Sequence, residues 1–129
     1  MRSKSKTSAE KAWHNTVAQF GRESGWLNKH FGGYVRDPYQ FHIDHILGAQ
    51  AKRKVDLVST KVGEWAVIPL PIEIHDYNQR NRVNKSTNPE AYKQAFGSGK
   101  ELFADMIKTM QSRGVELPFD EGVFNAIMS

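Results

Sequence analysis

Residues 41–46 are Phe-His-Ile-Asp-His-Ile, and residues 65–75 are Trp-Ala-Val-Ile-Pro-Leu-Pro-Ile-Glu-Ile-His. The first stretch sets polar side chains among apolar ones and predicts a short β-strand. The second is an apolar, β-branched run, which predicts a strand that turns at Pro-Leu-Pro and restarts as a helix near His75. Strand, hairpin, strand and helix in this order would bring Asp44, His45 and His75 together at one end of a small sheet.

Helical patterns surround these two stretches. Helices are predicted over 7–20 with Gly21 as the stop, over 89–96, over about 99–113, and after Asp120. Together these elements predict an α+β fold, with a small β-hairpin and a helix surrounded by several further helices. The apolar side chains expected to face the core are Trp13, Val17, Phe20, Ala91, Tyr92, Ala95, Phe96, Leu102, Phe103, Met106, Ile107, Met110, Val123, Phe124 and Ile127.

Two segments are predicted to lack regular structure. Residues 47–63 predict a long connection, and a loop of this length in a small domain is usually functional or disordered. Residues 21–40 are interrupted by glycine and proline. Their aromatic side chains are expected to pack under the sheet: Trp26, Phe31, Tyr34 and Tyr39. The isolated His14 and His30 are expected to have surface or packing roles.

The composition predicts one domain over 1–129. Hydrophobic residues make up 39% of the chain, which is enough for a modest core. The absence of cysteine excludes disulfides and a thiolate-held structural zinc. No apolar run approaches the ~18 residues that cross a membrane, and no apolar stretch typical of a signal peptide follows the N-terminus. The expected compartment is the cytoplasm, and no membrane partner is expected.

The charge distribution favours a polyanionic partner. The formal net charge is +4, and the basic surplus lies in the first 85 residues, which contain both strand segments. Nucleic-acid phosphates are the usual partner of such a surface; the alternative is that the charge only keeps a small protein in solution. The basic tail 1–6 would add non-specific affinity. The residues expected to contact a DNA backbone are Lys52, Arg53, Lys54, Arg80, Arg82 and Lys85.

The polar residues of the two stretches suit phosphodiester hydrolysis, which needs an activated water, charge relief on the phosphate and a protected leaving oxygen. A divalent ion supplies the last two, and a neutral imidazole supplies the first. Asp44 is a hard oxygen ligand for Mg²⁺ or Mn²⁺, and His45 is the candidate general base because an imidazole titrates near working pH. His75 is the second ligand or an orienting group. An amide oxygen of Asn78 or Gln79 could complete the ligand set.

Strand geometry leaves a second ligand choice open. Adjacent residues on a regular strand point to opposite faces, so Asp44 and His45 converge only if the strand ends or twists there. His42 lies two residues before Asp44 and shares its face. It is therefore a rival metal ligand.

Asp44-His45-Ile46, and the Ile-Pro-Leu corner at 68–70 that leads to His75, resemble the HNH endonuclease superfamily with its ββα-metal hairpin-and-helix core. The lysine-rich segment 48–56 and residues 92–97 are most similar to phage-encoded HNH nucleases of the recombination-enhancement type. The resemblance covers about 41–110, and a phage origin would imply the host cytoplasm.

The resemblance implies a role for each matching residue. Asp44 would bind the metal, His45 would be the general base, and His75 would be a metal ligand. Gln79 takes the place where relatives often have a third ligating histidine. In this superfamily the metal bridges the scissile phosphate while the base activates water.

Three features depart from the HNH pattern. Pro71 and Ile74 stand where many relatives have zinc-binding cysteines, so no structural zinc is expected. Ala66 stands near the position of the middle asparagine, and Gln79 is a poorer ligand than histidine. The expected cofactor is one divalent ion, Mg²⁺ first, with Mn²⁺ or Zn²⁺ as alternatives.

These residues predict a metal-dependent endonuclease that cleaves DNA with little sequence specificity. A non-catalytic DNA-binding or recombination accessory protein on a degenerate HNH scaffold is the alternative. A small interaction domain whose histidines are structural is the third alternative.

Overall fold

The computed structural model describes residues 6–37, 39–76 and 81–129. It combines helices with antiparallel strand pairs, so the predicted α+β class is confirmed. No helix in these ranges has the length and apolarity that crossing a bilayer would need. The helices and strands are α1 (Ser8–Glu23), α2 (Trp26–Phe31), β1 (Phe41–His45), β2 (Lys52–Val55), β3 (Val58–Lys61), β4 (Val67–Pro71), α3 (Ile72–His75), α4 (Pro89–Phe96), α5 (Gly99–Ser112) and α6 (Glu121–Met128).

The antiparallel pair of β1 and β4 positions the polar residues of interest. Asp44 lies opposite Ile68, and His45 lies opposite Val67. Every residue of β4 is buried, because α1, α2 and α5 all pack against this strand. Burial of the whole strand explains why residues 67–71 are continuously apolar. The chain passes directly from β4 into α3, so strand, hairpin, strand and helix follow in the predicted order.

The helix α3 begins and ends earlier than predicted. It covers Ile72–His75, so His75 is its last residue and not its first. Asp76 follows in an extended conformation, with φ −73° and ψ 121°. The described part of the helix therefore ends before Asn78 and Gln79, which were predicted to project from the same helical face as His75. Both of those residues lie outside the described ranges.

The predicted loop at 47–63 instead contains a second antiparallel hairpin, β2–β3. Val55 and Val58 form the pair next to its turn. The turn residues Asp56 and Leu57 both have positive φ, 50° and 68°, which is the geometry of a type I′ turn. This turn usually carries Asn-Gly or Asp-Gly, and a leucine in the left-handed region is rare. The sequence therefore lacked the local signal that identifies a hairpin.

Gly21 does not end the first helix, contrary to the prediction. The helix α1 continues to Glu23, and Gly21 lies where it crosses the β1–β4 pair. A Cβ at Gly21 would lie 3.0 Å from Cβ of Pro69 and 3.1 Å from Cζ of Phe41. The glycine therefore allows helix and sheet to approach closely.

Residues 21–40 are not wholly irregular, because α2 occupies Trp26–Phe31. The aromatic residues at both ends of α2 are buried, as predicted. Tyr34 and Tyr39 are 37% and 68% exposed, so the prediction that they pack under the sheet is wrong.

The C-terminal helices follow their predicted boundaries. The helix α4 starts at Pro89 and ends before Gly97, and Asp120 accepts a hydrogen bond from the backbone N–H of Val123 at the start of α6. Ala95 is exposed, so its predicted core position is wrong. The predicted core residues that are buried are Trp13, Val17, Phe20, Tyr92, Leu102, Phe103, Met106, Ile107, Met110 and Ile127.

Candidate functional site

Asp44 is a buried carboxylate with two polar partners from other elements. Its Oδ1 lies 3.2 Å from Nε2 of His75, and its Oδ2 accepts a hydrogen bond from Nζ of Lys85. Asp44 comes from β1, His75 from the end of α3, and Lys85 from the turn before α4. The structure thus brings Asp44 and His75 together; we call Asp44, His75, Lys85 and His42 the Asp44 cluster.

His42 contacts the far side of the His75 ring. The two Nδ1 atoms are 2.7 Å apart, and the ring centroids are 4.9 Å apart. Since Nε2 of His75 faces Asp44 and Nδ1 faces His42, the three groups form a chain and not a convergent ligand set. A cation between Asp44 and His75 would leave His42 as the hydrogen-bond partner of a ligating ring, which is a common way to orient a metal-bound histidine.

The surroundings of Asp44 keep it ionised. Burial by itself would raise the pKa of Asp44, but the hydrogen bonds from His75 and Lys85 and the charges of both groups outweigh the burial. The net effect lowers the pKa below its ordinary value of 3.8. An ionised carboxylate is the form that binds a cation.

We expect the free energy of unfolding to fall in acid partly because of Asp44. Its folded-state pKa lies below the unfolded value, so its contribution is complete above pH 3.8 and is lost as the pH falls through the folded pKa. Asp44→Asn should remove this part of the acid dependence in a series of urea titrations. Asp56→Asn, in the exposed turn between β2 and β3, is the matched control. An unchanged acid dependence in Asp44→Asn would contradict the prediction.

Tyr92 places a buried hydroxyl beside the Asp44 cluster. Only 3% of Tyr92 is exposed, and its Oη has no hydrogen-bond partner among the described residues. Burial raises the pKa of Tyr92, and the negative charge of Asp44 raises it further. Nζ of Lys85 lies 5.9 Å from the centroid of its ring. A buried hydroxyl without a partner suggests an ion or a water at this place, so the residues present fit a hydrated cation bound at Asp44.

Tyr92→Phe is expected to leave the stability of the metal-free protein unchanged or to raise it by up to ~1 kcal/mol, because it removes a buried hydroxyl without a partner. The same change should weaken Mn²⁺ binding about tenfold if the hydroxyl donates to a water on the cation. Thermal unfolding with and without Mn²⁺ separates the two effects, and Tyr34→Phe is the exposed control. A clear loss of stability without metal would show that the hydroxyl has a partner.

His45 belongs to a separate cluster on the other face of β1. Its Nε2 lies 2.7 Å from Oε1 of Glu64. Nε2 of His14 lies 3.4 Å from the same oxygen and 2.8 Å from the backbone oxygen of Glu64. Within the described residues, His14, His45 and Glu64 form the one group of at least three His, Cys, Asp or Glu side chains whose ligand atoms all lie within 4.8 Å. We call it the Glu64 cluster.

The alternation of side chains on β1 separates Asp44 from His45. Asp44 faces α3, and His45 faces α1, because adjacent residues of a regular strand point to opposite faces. The prediction that Asp44, His45 and His75 come together is therefore wrong about His45. Among the described residues, no hydrogen bond or ion pair joins His45 to Asp44 or His75. A carboxylate accepts but does not donate, so Glu64 selects the tautomer of His45 with the proton on Nε2. Nδ1 of His45 then carries a free lone pair.

Two members of the Glu64 cluster, Glu64 and His14, were not predicted as site residues from the sequence. Glu64 lies in the turn just before β4, and His14 lies on α1 next to the buried Trp13. Trp13 Nε1 donates to the backbone oxygen of Trp65 at 2.9 Å, which holds α1 against the turn that carries Glu64. Burial lowers the pKa of His14, so the ring is neutral at neutral pH. The one sequence feature that could have identified His14 as a site residue is its position beside the buried stripe of α1. A histidine with only a packing role would occupy the same position.

The basic residues predicted to contact DNA lie in different places. Lys52, Arg53 and Lys54 form β2, where Lys52 and Lys54 are exposed and share one face. Arg82 is exposed, and Lys85 binds Asp44. Arg80 lies outside the described ranges, as do Asn78 and Gln79. The tip of the hairpin also exposes two apolar side chains, Leu57 and Val58.

Comparisons with known proteins identify no relative: no family model, no curated protein and no solved structure matches the chain. The geometry of the two clusters is therefore what supports a function.

Proposed function

We propose that the protein is a metal-dependent endonuclease that hydrolyses phosphodiester bonds in DNA. The observation that carries this proposal is the Asp44 cluster, in which a buried, ionised carboxylate lies 3.2 Å from an imidazole nitrogen and beside the Tyr92 hydroxyl, to which the described residues offer no hydrogen-bond partner. A hydrated divalent cation would use all three groups, with the carboxylate and the imidazole as ligands and the hydroxyl as the partner of a bound water.

Asp44 and His75 would hold the cation, with His42 orienting the His75 ring. One carboxylate and several waters suit Mg²⁺, and the imidazole also admits Mn²⁺ or Zn²⁺. When bound, the ion polarises the phosphate and stabilises the leaving oxygen. Asn78 and Gln79 remain proposed ligands from the segment between Asp76 and α4. The proposed site is of the HNH type that the sequence resembles.

His45 would act as the general base, and Glu64 would orient it. Glu64 accepts the Nε2 proton of His45, which leaves Nδ1 to take a proton from water. Since His45 is the last residue of β1, the phosphodiester would lie across the end of the strand, reached by Asp44 from one face and His45 from the other.

Lys85 has a place in this proposal because it already neutralises Asp44. A cation at Asp44 would take over that role and release the Lys85 ammonium. The released side chain could then contact the phosphate, which agrees with its expected role in DNA binding. The ion pair also favours a second candidate, a non-catalytic DNA-binding protein in which Lys85 permanently occupies the metal position.

The two candidates differ in an experiment on supercoiled plasmid DNA. The endonuclease converts it to nicked or linear DNA with Mg²⁺ or Mn²⁺ and not with a chelator. The non-catalytic protein retards the same DNA in a gel without cutting it, and it binds no Mn²⁺ in calorimetry. Absence of cleavage under all metal conditions would overturn the endonuclease proposal.

The exposed face of the β2–β3 hairpin is proposed to bind the phosphates of the DNA backbone through Lys52 and Lys54. Each phosphate contact on duplex DNA releases counterions. It steepens the fall of log affinity with log salt concentration by ~0.9. The double variant Lys52→Ala, Lys54→Ala should therefore lower the salt slope by up to ~2 and weaken binding about equally for different sequences. Fluorescence anisotropy across a salt series measures the slope. Lys108→Ala, on the exposed side of α5, is the control; an equal change in both variants would contradict the assignment.

A further inference from the structure

We propose that the Glu64 cluster, formed by His14, His45 and Glu64, is a second cation site that binds Zn²⁺ and that its occupation inhibits the enzyme. The binding half of this proposal stands on geometry alone. The inhibitory half rests on the proposed role of His45 as the general base.

The three side chains provide the donor atoms and the spacing of a zinc site. Two imidazole nitrogens and one carboxylate oxygen are common zinc ligands, and metal–ligand distances near 2.0–2.1 Å place tetrahedral ligands ~3.4 Å apart. Nε2 of His14 is 3.4 Å from Oε1 of Glu64, and Nε2 of His45 is 2.7 Å from it. All ligand atoms lie within 4.8 Å of one another. Opening the shorter contact by less than about 1 Å would give the tetrahedral spacing.

Packing holds the ligands in place before any ion binds. Glu64 and His14 are 5% and 7% exposed. Gly63, next to Glu64, packs so closely on the preceding chain that a Cβ there would lie 2.2 Å from the backbone oxygen of Gly48. His45 is fixed by the pairing of β1 with β4. Its side chain keeps 29% of its surface exposed, which gives solvent a path to the site and room for a water as fourth ligand.

Lys6 opposes ion binding through its contact with His14. Nζ of Lys6 lies 3.2 Å from Nδ1 of His14. An ammonium only donates, so Nδ1 of His14 is the acceptor and its Nε2 carries the proton given to the backbone oxygen of Glu64. An ion on Nε2 would move the ring proton to Nδ1, where it would face the ammonium donor. Lys6 must therefore move away when the site fills.

The same tautomer change in His45 explains the inhibition. An ion on Nε2 displaces the proton that Glu64 accepts, and the neutral ring then keeps its one proton on Nδ1. Nδ1 changes from acceptor to donor, so His45 loses the lone pair that takes a proton from water. The ion thus blocks the base without touching Asp44 or His75.

Zinc binding is measured by competition with a chromophoric chelator in excess Mg²⁺, which competes with Zn²⁺ for the Asp44 cluster, and the His75→Gln variant reports any Zn²⁺ that binds there. We expect one tight site in the wild type, at least about tenfold weaker binding in His14→Gln, and about two- to fivefold tighter binding in Lys6→Met. Glutamine can still donate to the Glu64 backbone oxygen, and circular dichroism checks that the variant folds. Equal Zn²⁺ affinity of His14→Gln and wild type would overturn the site. Loss of binding in His75→Gln alone would place the ion in the Asp44 cluster and would also overturn it.

A cleavage assay tests the inhibition separately. Zn²⁺ added to the Mg²⁺ reaction should inhibit the wild type, each variant being compared with its own zinc-free rate. His14→Gln should need at least about ten times more Zn²⁺, and Lys6→Met should need less. Zinc binding as predicted with no cleavage in any metal would overturn the proposed endonuclease and leave the site standing. Cleavage that continues at full rate with Zn²⁺ bound would overturn the inhibition.

Discussion

The His45→Ala variant should cleave DNA about 10²- to 10⁴-fold more slowly than the wild type, with Mn²⁺ affinity and DNA affinity unchanged. This loss of rate is the contribution that a general base typically makes to a reaction. Affinities should be unchanged because His45 contacts Glu64 and His14 and not the Asp44 cluster. Single-turnover cleavage of a labelled duplex gives the rate, and calorimetry and anisotropy give the two affinities.

Two further variants sharpen this prediction. Glu64→Gln keeps the size of the side chain, but its amide can donate to Nε2 of His45 and so favour the tautomer with the proton on Nδ1. It should therefore lower the rate in the same direction as His45→Ala. His30→Ala is the control, because His30 is held by Asp105, 2.7 Å away, outside both clusters. If His45→Ala cleaved as fast as the wild type, His45 would not be the base.

Asp44→Ala should lose detectable Mn²⁺ binding and at least ~10³-fold in cleavage rate. Without the Asp44 ligand the ion is lost, and with it several kcal/mol of stabilisation of the transition-state charge. Each ~1.4 kcal/mol of this stabilisation changes the rate tenfold. The loss should be largest for this residue because Asp44 is the one carboxylate that contacts His75 and Lys85 in the described chain.

The controls for Asp44 come from its own cluster. His42→Gln should weaken Mn²⁺ binding about 10- to 100-fold without abolishing it, because His42 acts through the His75 ring. Lys85→Met should strengthen Mn²⁺ binding, because it removes the cation that competes for Asp44. Mn²⁺ affinity in Asp44→Ala equal to that of the wild type would contradict the assignment. A wild type that binds DNA but no Mn²⁺ would support the non-catalytic alternative.

Local patterns predicted much of the fold. The spacing of apolar residues and the capping residues identified α1, α4, α5 and α6, because helix faces and helix ends are set by residues three or four apart. The approach of Asp44 to His75 was also predicted, since it follows from the order of strand, strand and helix. The hairpin β2–β3 was missed because Asp56 and Leu57 adopt a turn that normally shows a glycine. The six-residue helix α2 is too short for a clear period.

The prediction that His45 joins Asp44 and His75 was wrong, because side chains on a strand alternate and His45 faces the other side of β1. The sequence by itself did determine the order of strand, strand and helix that places Asp44 near His75. It also determined that a basic segment follows β1. Only the tertiary structure decided the partners on each side: Lys85 on Asp44, 41 residues away, and His14 against Glu64, 50 residues away. Those partners depend on how α1 and the turn before α4 pack around the β1–β4 pair, and packing between distant segments leaves no local period in the chain.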